Sequence, residues 1–163
     1  MSDDPIKDAL RMMPYGFYSI TSRNGDDVNA MVANWITQAS FTPRLLVMGL
    51  QKNCYTHGVI EQGRVFALNI FKKEDQEAMM PFTKSRAKRP DKMKEAAYTQ
   101  APETGCPILQ GAAAYVECKV VDILDVGGDH VLLIGEAVGG GVMKEAEASE
   151  IMTLPHLGWS YAG

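Results

Sequence analysis

Cysteine and histidine are scarce in this chain, at three residues each among 163. Cys54, Cys106 and Cys118 are widely spaced and odd in number, a poor disulfide framework that points to a reducing cytoplasm. Cys54 and His57 form a lone Cys-x-x-His with no second pair, so no metal site is expected. No apolar run approaches the ~20 residues that cross a bilayer, which argues against a membrane partner. The opening MSDDPIKDALRMMP is acidic and lacks a hydrophobic segment, so it does not read as a secretory signal. Excess positive charge is missing too: a net charge of −4 argues against a nucleic-acid partner. The phosphate-loop pattern and the nucleophile elbow are also missing, and Gly139-Gly140-Gly141 follows a strand without a dinucleotide fingerprint. Without repeats, low-complexity stretches or a linker, residues 1–163 are expected to form a single domain.

What is present suits an ordinary globular protein, with 46% apolar and 22% charged residues. A chain of this length buries a real core without disulfides or structural metal. Ile6, Leu10 and Met13 are spaced four then three apart, which predicts a short helix over 5–13 that ends at Pro14. FYSITS reads as a strand, Arg23-Asn24-Gly25-Asp26 as a tight turn around Asn-Gly, and VNAMVANW as the returning strand. LLVMGL (45–50) is a continuous apolar run, predicting a fully buried strand. A short helix follows, with Asn53 as its start residue and Gly63 closing it. RVFALNIF (64–71) is the next strand. Residues 72–95 hold eight of the 16 lysines and arginines with five acids, and read as a solvated helix–loop–helix excursion. Residues 102–111 read as an irregular connection, and 112–124 and 130–138 as two strands joined by a glycine-rich hairpin. The prediction is a mainly β protein of six strands with short inserted helices. Hairpins dominate, so a closed or partly closed antiparallel barrel is the natural solution.

Two places carry chemistry. At 51–57, Gln-Lys-Asn-Cys-Tyr-Thr-His joins a strand to a helix start, whose free N–H groups and positive dipole end suit a phosphate. Lys52 adds charge, and Asn53, Tyr55 and Thr56 add donors; the bland alternative is a plain capped helix. His130 follows the Gly-Gly-Asp turn at a strand mouth, where it could donate a hydrogen bond or shuttle a proton. The alternative there is an exposed turn histidine.

In order, MPYGFYSITS, NAMVANWITQASFTPRLLVMGL, KNCYTHGVIEQGRVFALNIF and CPILQGAAAYVECKVVDILDVGGDHVLLIGEAV resemble the flavin reductase-like, FMN-binding split-barrel family. The resemblance spans residues 10–140. It implies a six-stranded antiparallel Greek-key split barrel working as a homodimer with FMN near the subunit interface. Val32, Ala33, Asn34 and Trp35 would line the isoalloxazine, with Gln38 and Ser40 close behind. Asn53, Cys54, Tyr55 and Thr56 would hold the phosphate, with Lys52 and Lys84 adding positive charge. His130 would meet the nicotinamide of NADH or NADPH in a ping-pong hydride transfer through FMN, with free flavin or a redox partner protein as acceptor. Trp35 stands where many members place a small hydroxyl residue, Cys54 where serine or arginine is frequent, and the ending HLGWSYAG matches only a subset. An FMN-carrying electron-transfer protein without NAD(P)H activity is the alternative function, and a barrel that has lost its cofactor is a third.

Overall fold

The computed structural model describes residues 2–161. Among the described residues there are nine strands: β1 (Tyr18–Asn24), β2 (Asp27–Ala33), β3 (Ile36–Phe41), β4 (Arg44–Gln51), β5 (Val65–Ile70), β6 (Tyr98–Gln100), β7 (Pro107–Leu109), β8 (Ala114–Leu124) and β9 (His130–Val142). Seven of them make one antiparallel sheet in the order β2-β1-β5-β8-β9-β4-β3, and β6 and β7 form a separate hairpin. The two edge strands, β2 and β3, are consecutive in sequence, and only Asn34 and Trp35 separate them. The sheet therefore curls until its edges meet, giving a barrel left open along that seam. Two bulges in the long β8–β9 hairpin, at Glu117/Cys118 and Val120/Asp122, help the bend.

The strand pattern expected from the sequence is corrected in three places. VNAMVANW was expected as one strand up to the break at Thr42-Pro43, but the chain turns at Asn34-Trp35 and returns as β3, which pairs with β4. The irregular stretch 102–111 holds β7, docked by buried polar groups: the Thr21 hydroxyl donates to the Pro107 carbonyl at 2.6 Å, and the Leu109 N–H donates to Asn69 Oδ1 at 2.9 Å. The third correction is to the β1–β2 turn, whose centre is Gly25-Asp26, because Asn24 still pairs with Asp27. LLVMGL is also not buried on both faces. In β4, Leu46, Met48 and Leu50 point inward, while Leu45, Val47 and Gly49 face a half-covered outer side.

Helices are short: α1 (Pro5–Leu10), α2 (Tyr55–Gly63), α3 (Gln76–Met79) and α4 (Lys92–Glu95). Asp4 caps α1 by accepting from the N–H groups of Ile6 and Lys7. The apolar spacing of α1 does not reach the core, since Ile6, Leu10 and Met13 all stay exposed. Cys54, not Asn53, is the residue before the first turn of α2, and Arg64 takes the left-handed conformation that ends it.

Two apolar clusters build the core. Inside the barrel, Ile20, Met48, Leu50, Ile60, Phe66, Leu68, Cys118 and Leu133 pack together. Outside β2, Phe17, Val28, Ala30 and Phe71 meet Met79, Phe82 and Met93 from the 72–95 excursion, together with Met152 and Leu154. The excursion is thus not a solvated arm. Its charged residues hide an apolar face at Met79, Phe82 and Met93 that clamps it against β2.

Candidate functional site

The barrel seam opens into a cleft of about 710 Å³. Its floor is Val32, Ala33, Asn34 and Trp35, and its sides come from Gly49, Gln51, Cys54 and His130. Thr83, Lys84, Ser85 and Lys88 overhang it from the excursion, and Trp159, Ser160 and Tyr161 come from the C-terminal segment. A second cavity of about 650 Å³ shares Met31, Val32, Gln51, Cys54, Thr83, Lys84 and Ser85 with the first and runs on to Asn53, Tyr55, Thr56, Arg86 and Lys92. Nine predicted site residues are thereby brought together: Val32, Ala33, Asn34, Trp35, Asn53, Cys54, Tyr55, Thr56 and Lys84, with His130 beside them.

Three predicted residues lie elsewhere. Lys52 turns away from the cleft to the β8–β9 loop, where its ammonium lies 2.7 Å from Asp125 and holds that carboxyl below its ordinary range. Gln38 and Ser40 sit on β3 beyond the seam, where the Gln38 amide donates to the Ser40 carbonyl at 3.2 Å. Gln38 lines a separate cavity of about 330 Å³ with Arg44 and Val116. The reason is the unforeseen turn at Asn34-Trp35, which sends the following residues along the far edge.

The first part of the cleft is aromatic. Trp35 rests over Gly49, where a Cβ would stand 3.2 Å from the indole, and the Gly49 N–H donates to the Trp35 carbonyl at 2.8 Å. The indole centroid lies 4.7 Å from the His130 ring. His130 Nδ1 is 2.7 Å from Asp129 Oδ1, a bond that keeps the Asp129 carboxyl low. If Nδ1 carries the proton for that bond, Nε2 is left as an acceptor on the cleft side. Two buried donors here, Asn34 Nδ2 and Trp35 Nε1, have no partner. Buried polar groups are nearly always paired, so a ligand with acceptors along one flat edge fits this floor.

The second part is cationic. Helix α2 carries no side-chain cap, so its N-terminus keeps its positive dipole end facing the cavity. Burial pushes the Cys54 thiol up, so it adds no negative charge there. Thr56 accepts from the Asn29 amide at 2.8 Å, and Asn29 Oδ1 is buried without a partner. Arg86 lies over the Tyr55 ring at 4.5 Å and donates to the Val28 carbonyl at 2.9 Å. Lys92 is only 3% exposed, and its ammonium donates to the Lys84 carbonyl at 2.9 Å. Among the described residues no carboxylate pairs with it. Burial, and then the nearby Arg86 charge, bring its pKa down to about 8. A buried cation without an anion is costly, and an anionic ligand would relieve that cost.

Arg86, Lys92, Trp159 and Tyr161 were missed at the level of sequence. Met79 and Phe82, three apart, were the available sign that the excursion packs down instead of extending into solvent. Among the described residues, no group of three His, Cys, Asp or Glu side chains could hold a metal ion, and no helix is long and apolar enough to cross a membrane.

An antiparallel barrel with an aromatic and cationic cleft along its seam describes a class of cofactor-binding proteins, and comparison places the chain within it. The flavin reductase like domain matches residues 10–159, and the chain belongs to that family. A relative from Nostoc sp. PCC 7120, by its name a diflavin flavoprotein A 3, is 36% identical over 149 residues, covering 91% of this chain and 25% of its own length. Diflavin flavoprotein A 1 of Synechocystis sp. PCC 6803 is 30% identical over 143 residues, covering 87% of this chain and 25% of its own. The chain thus spans about a quarter of the length of these curated relatives. Among solved structures, flavin reductase HpaC complexed with NADP+ superposes with TM-score 0.74 at 25% identity, over 87% of each chain. The NADH:FAD oxidoreductase of Streptomyces globisporus C-1027, in complex with NAD and FAD fragments, gives TM-score 0.71 at 25% identity, over 80% of this chain and 76% of its own.

Proposed function

We propose that residues 1–163 act as one flavin reductase-like domain that binds FMN in the joined cleft and oxidises NADH or NADPH. The observation that carries this is the pairing of two unlike halves. One half is a floor of Val32, Ala33, Asn34 and Trp35 with unpartnered donors, and the other is a cationic pocket at a helix N-terminus. Val32, Ala33, Asn34 and Trp35 would hold the ring system, while Thr56, Lys84, Arg86 and Lys92 would meet the phosphate. The cationic half supports FMN over FAD, since no adenosine-binding motif adjoins it. When bound, the flavin supplies two-electron chemistry with a nicotinamide donor, and the protein supplies position. His130, fixed by Asp129, would orient the nicotinamide. Free flavin or a redox partner protein would accept the electrons.

The test is an anaerobic absorption spectrum of the FMN-loaded protein after NADH, then NADPH. Bleaching within seconds is expected, and His130→Ala should slow it about 10- to 100-fold through lost positioning. A yellow protein that neither nucleotide bleaches would move the assignment to an electron-transfer flavoprotein. The rings flanking Trp35 favour that second reading, because they cover part of the floor.

A homodimer completes the proposal. On the outer side of β4, Leu10, Met13, Tyr15, Ile36, Val47 and Leu132 line an apolar hollow of about 690 Å³ that also touches Trp35. Leu132 lies opposite Gly49 in the β4–β9 pairing and is 40% exposed. A second copy would cover this surface and one wall of the cleft. Leu132→Asp is expected to sediment as a monomer and to hold flavin more weakly. A parent protein that itself sediments as a monomer would sink the pairing.

A further inference from the structure

The chain's own C-terminal segment sits in the mouth of the cleft. After a 3-10 turn at Pro155–Leu157, Gly158 takes a left-handed backbone (φ 70°), and Trp159 and Tyr161 come to line the cleft. Trp159 stands edge-on to Phe17 with centroids 5.7 Å apart. The Tyr161 ring lies 4.8 Å from the Trp35 indole, and its hydroxyl is 3.2 Å from His130 Nε2. The last backbone hydrogen bond of the segment among the described residues runs from the Trp159 N–H to the Leu154 carbonyl. Past that bond, ring contacts and one side-chain hydrogen bond hold Tyr161 in place. Tyr161 as a residue remains 44% exposed, so it covers the seat without being locked into the core.

We propose that Tyr161 is a specificity-determining gate, seated against the adjoining Trp35 and His130 rings, that admits only electron donors carrying a planar ring able to replace its phenol. The proposal rests on the flavin reductase reading and names the residue that selects the donor. The phenol makes two kinds of contact: ring against indole, and a polar hydrogen against His130 Nε2. A reduced nicotinamide offers both, with a flat ring and a carboxamide N–H. Aliphatic or bulky non-planar reductants offer neither. Tyr161 and the donor exclude one another, so the apparent affinity for the donor falls with the fraction of time the seat is open.

Tyr161→Ala and Tyr161→Phe, each in the full chain, test the proposal by two readouts. In steady-state assays, Tyr161→Ala should lower KM for the nicotinamide donor about three- to tenfold and leave kcat within about twofold. The second readout needs no turnover. With Trp159→Phe as background, Trp35 is the only tryptophan of the two in the chain, and its fluorescence reports the seat directly. Acrylamide quenching should rise on Tyr161→Ala and stay near the parent value on Tyr161→Phe, which keeps the ring. Unchanged quenching in Tyr161→Ala would overturn the proposal, because the ring would then not cover the indole in solution. A raised KM would overturn it too, by making Tyr161 part of the donor's binding surface. If quenching responds but neither nucleotide reduces the flavin in parent or variant, the flavin reductase reading fails and the donor assignment falls with it.

Discussion

Replacing Lys92 by methionine should weaken FMN binding about 10- to 100-fold, the loss expected for one charge-assisted hydrogen bond to a phosphate. The same substitution should not lower the melting temperature. Lys92 is buried without a carboxylate partner, and a methionine of similar length removes an uncompensated charge from the interior. A variant that melts as well as the parent but binds poorly separates a ligand role from a structural one. The pH dependence gives a second handle. In the free protein Lys92 titrates at about 8, well below the ordinary lysine value of 10.5. A phosphate stabilises the charged form, so binding takes up a proton where the free ammonium has lost one. The dissociation constant should therefore climb as pH rises above about 8, by at most about tenfold per unit, and Lys92→Met should flatten the curve. For folding the sign is the reverse. Between about 8 and 10.5 the unfolded chain holds more protons at this group than the folded one, so its contribution to stability improves as pH rises through that window. Equal FMN affinities for parent and variant from pH 7 to 9.5 would remove Lys92 from the phosphate site.

Gly63→Ala should be the most damaging single methyl in the scaffold. A Cβ at Gly63 would lie 1.9 Å from the Arg23 carbonyl oxygen and 2.9 Å from its carbon, so it meets backbone, not a side chain that can swing aside. The opposing hairpin cannot retreat easily. Arg23 is tied through its guanidinium to the Gly105 carbonyl at 2.7 Å, and the Asn24 amide donates to Gln62 at 2.9 Å. Helix α2 would have to move instead. We expect a loss of about 3 kcal/mol in urea unfolding, the upper end of ordinary overpacking. The same helix positions Cys54, Tyr55 and Thr56, so flavin affinity should fall together with stability. Gly58→Ala is the matched control: it lies in the same helix with nothing within 4 Å of its Cβ, and should gain about 0.5–1 kcal/mol from helix propensity. Similar unfolding curves for the two variants would show that α2 does not press on the hairpin as closely as described.

Local pattern in the sequence was enough to place β1, β2, β4, β5, β8 and the hairpin that leads to His130. Turn residues and β-branched runs specify these strands without help from distant contacts. The seam was harder to read. Nothing in Val32-Ala33-Asn34-Trp35 marks a corner by proline or glycine, and the strand pairing that makes it one involves β4, which lies further along the chain. Gln38 and Ser40, expected close behind the residues that line the ring, consequently fall on β3 outside the cleft lining. Lys52 looked like a phosphate cation because it adjoins the helix start, but its partner Asp125 lies more than 70 residues away. Lys92 and Arg86 were hidden for the opposite reason: in a charge-rich stretch each reads as one more solvated side chain. Only the clamp of Met79, Phe82 and Met93 on β2 turns those two inward.

The two-residue seam between β2 and β3 has a further consequence. A fully closed barrel owes its shape to its own ladder of hydrogen bonds, whereas here the two edges face each other across a space shaped for something else. Whatever fills that space bridges the edges and becomes, in effect, an eighth stave. Occupancy should then be visible in the skeleton as well as the colour of the protein. Amide exchange along β2 and β3 should slow when the cleft is filled, while exchange along β8 and β9, already paired on both sides, stays nearly the same.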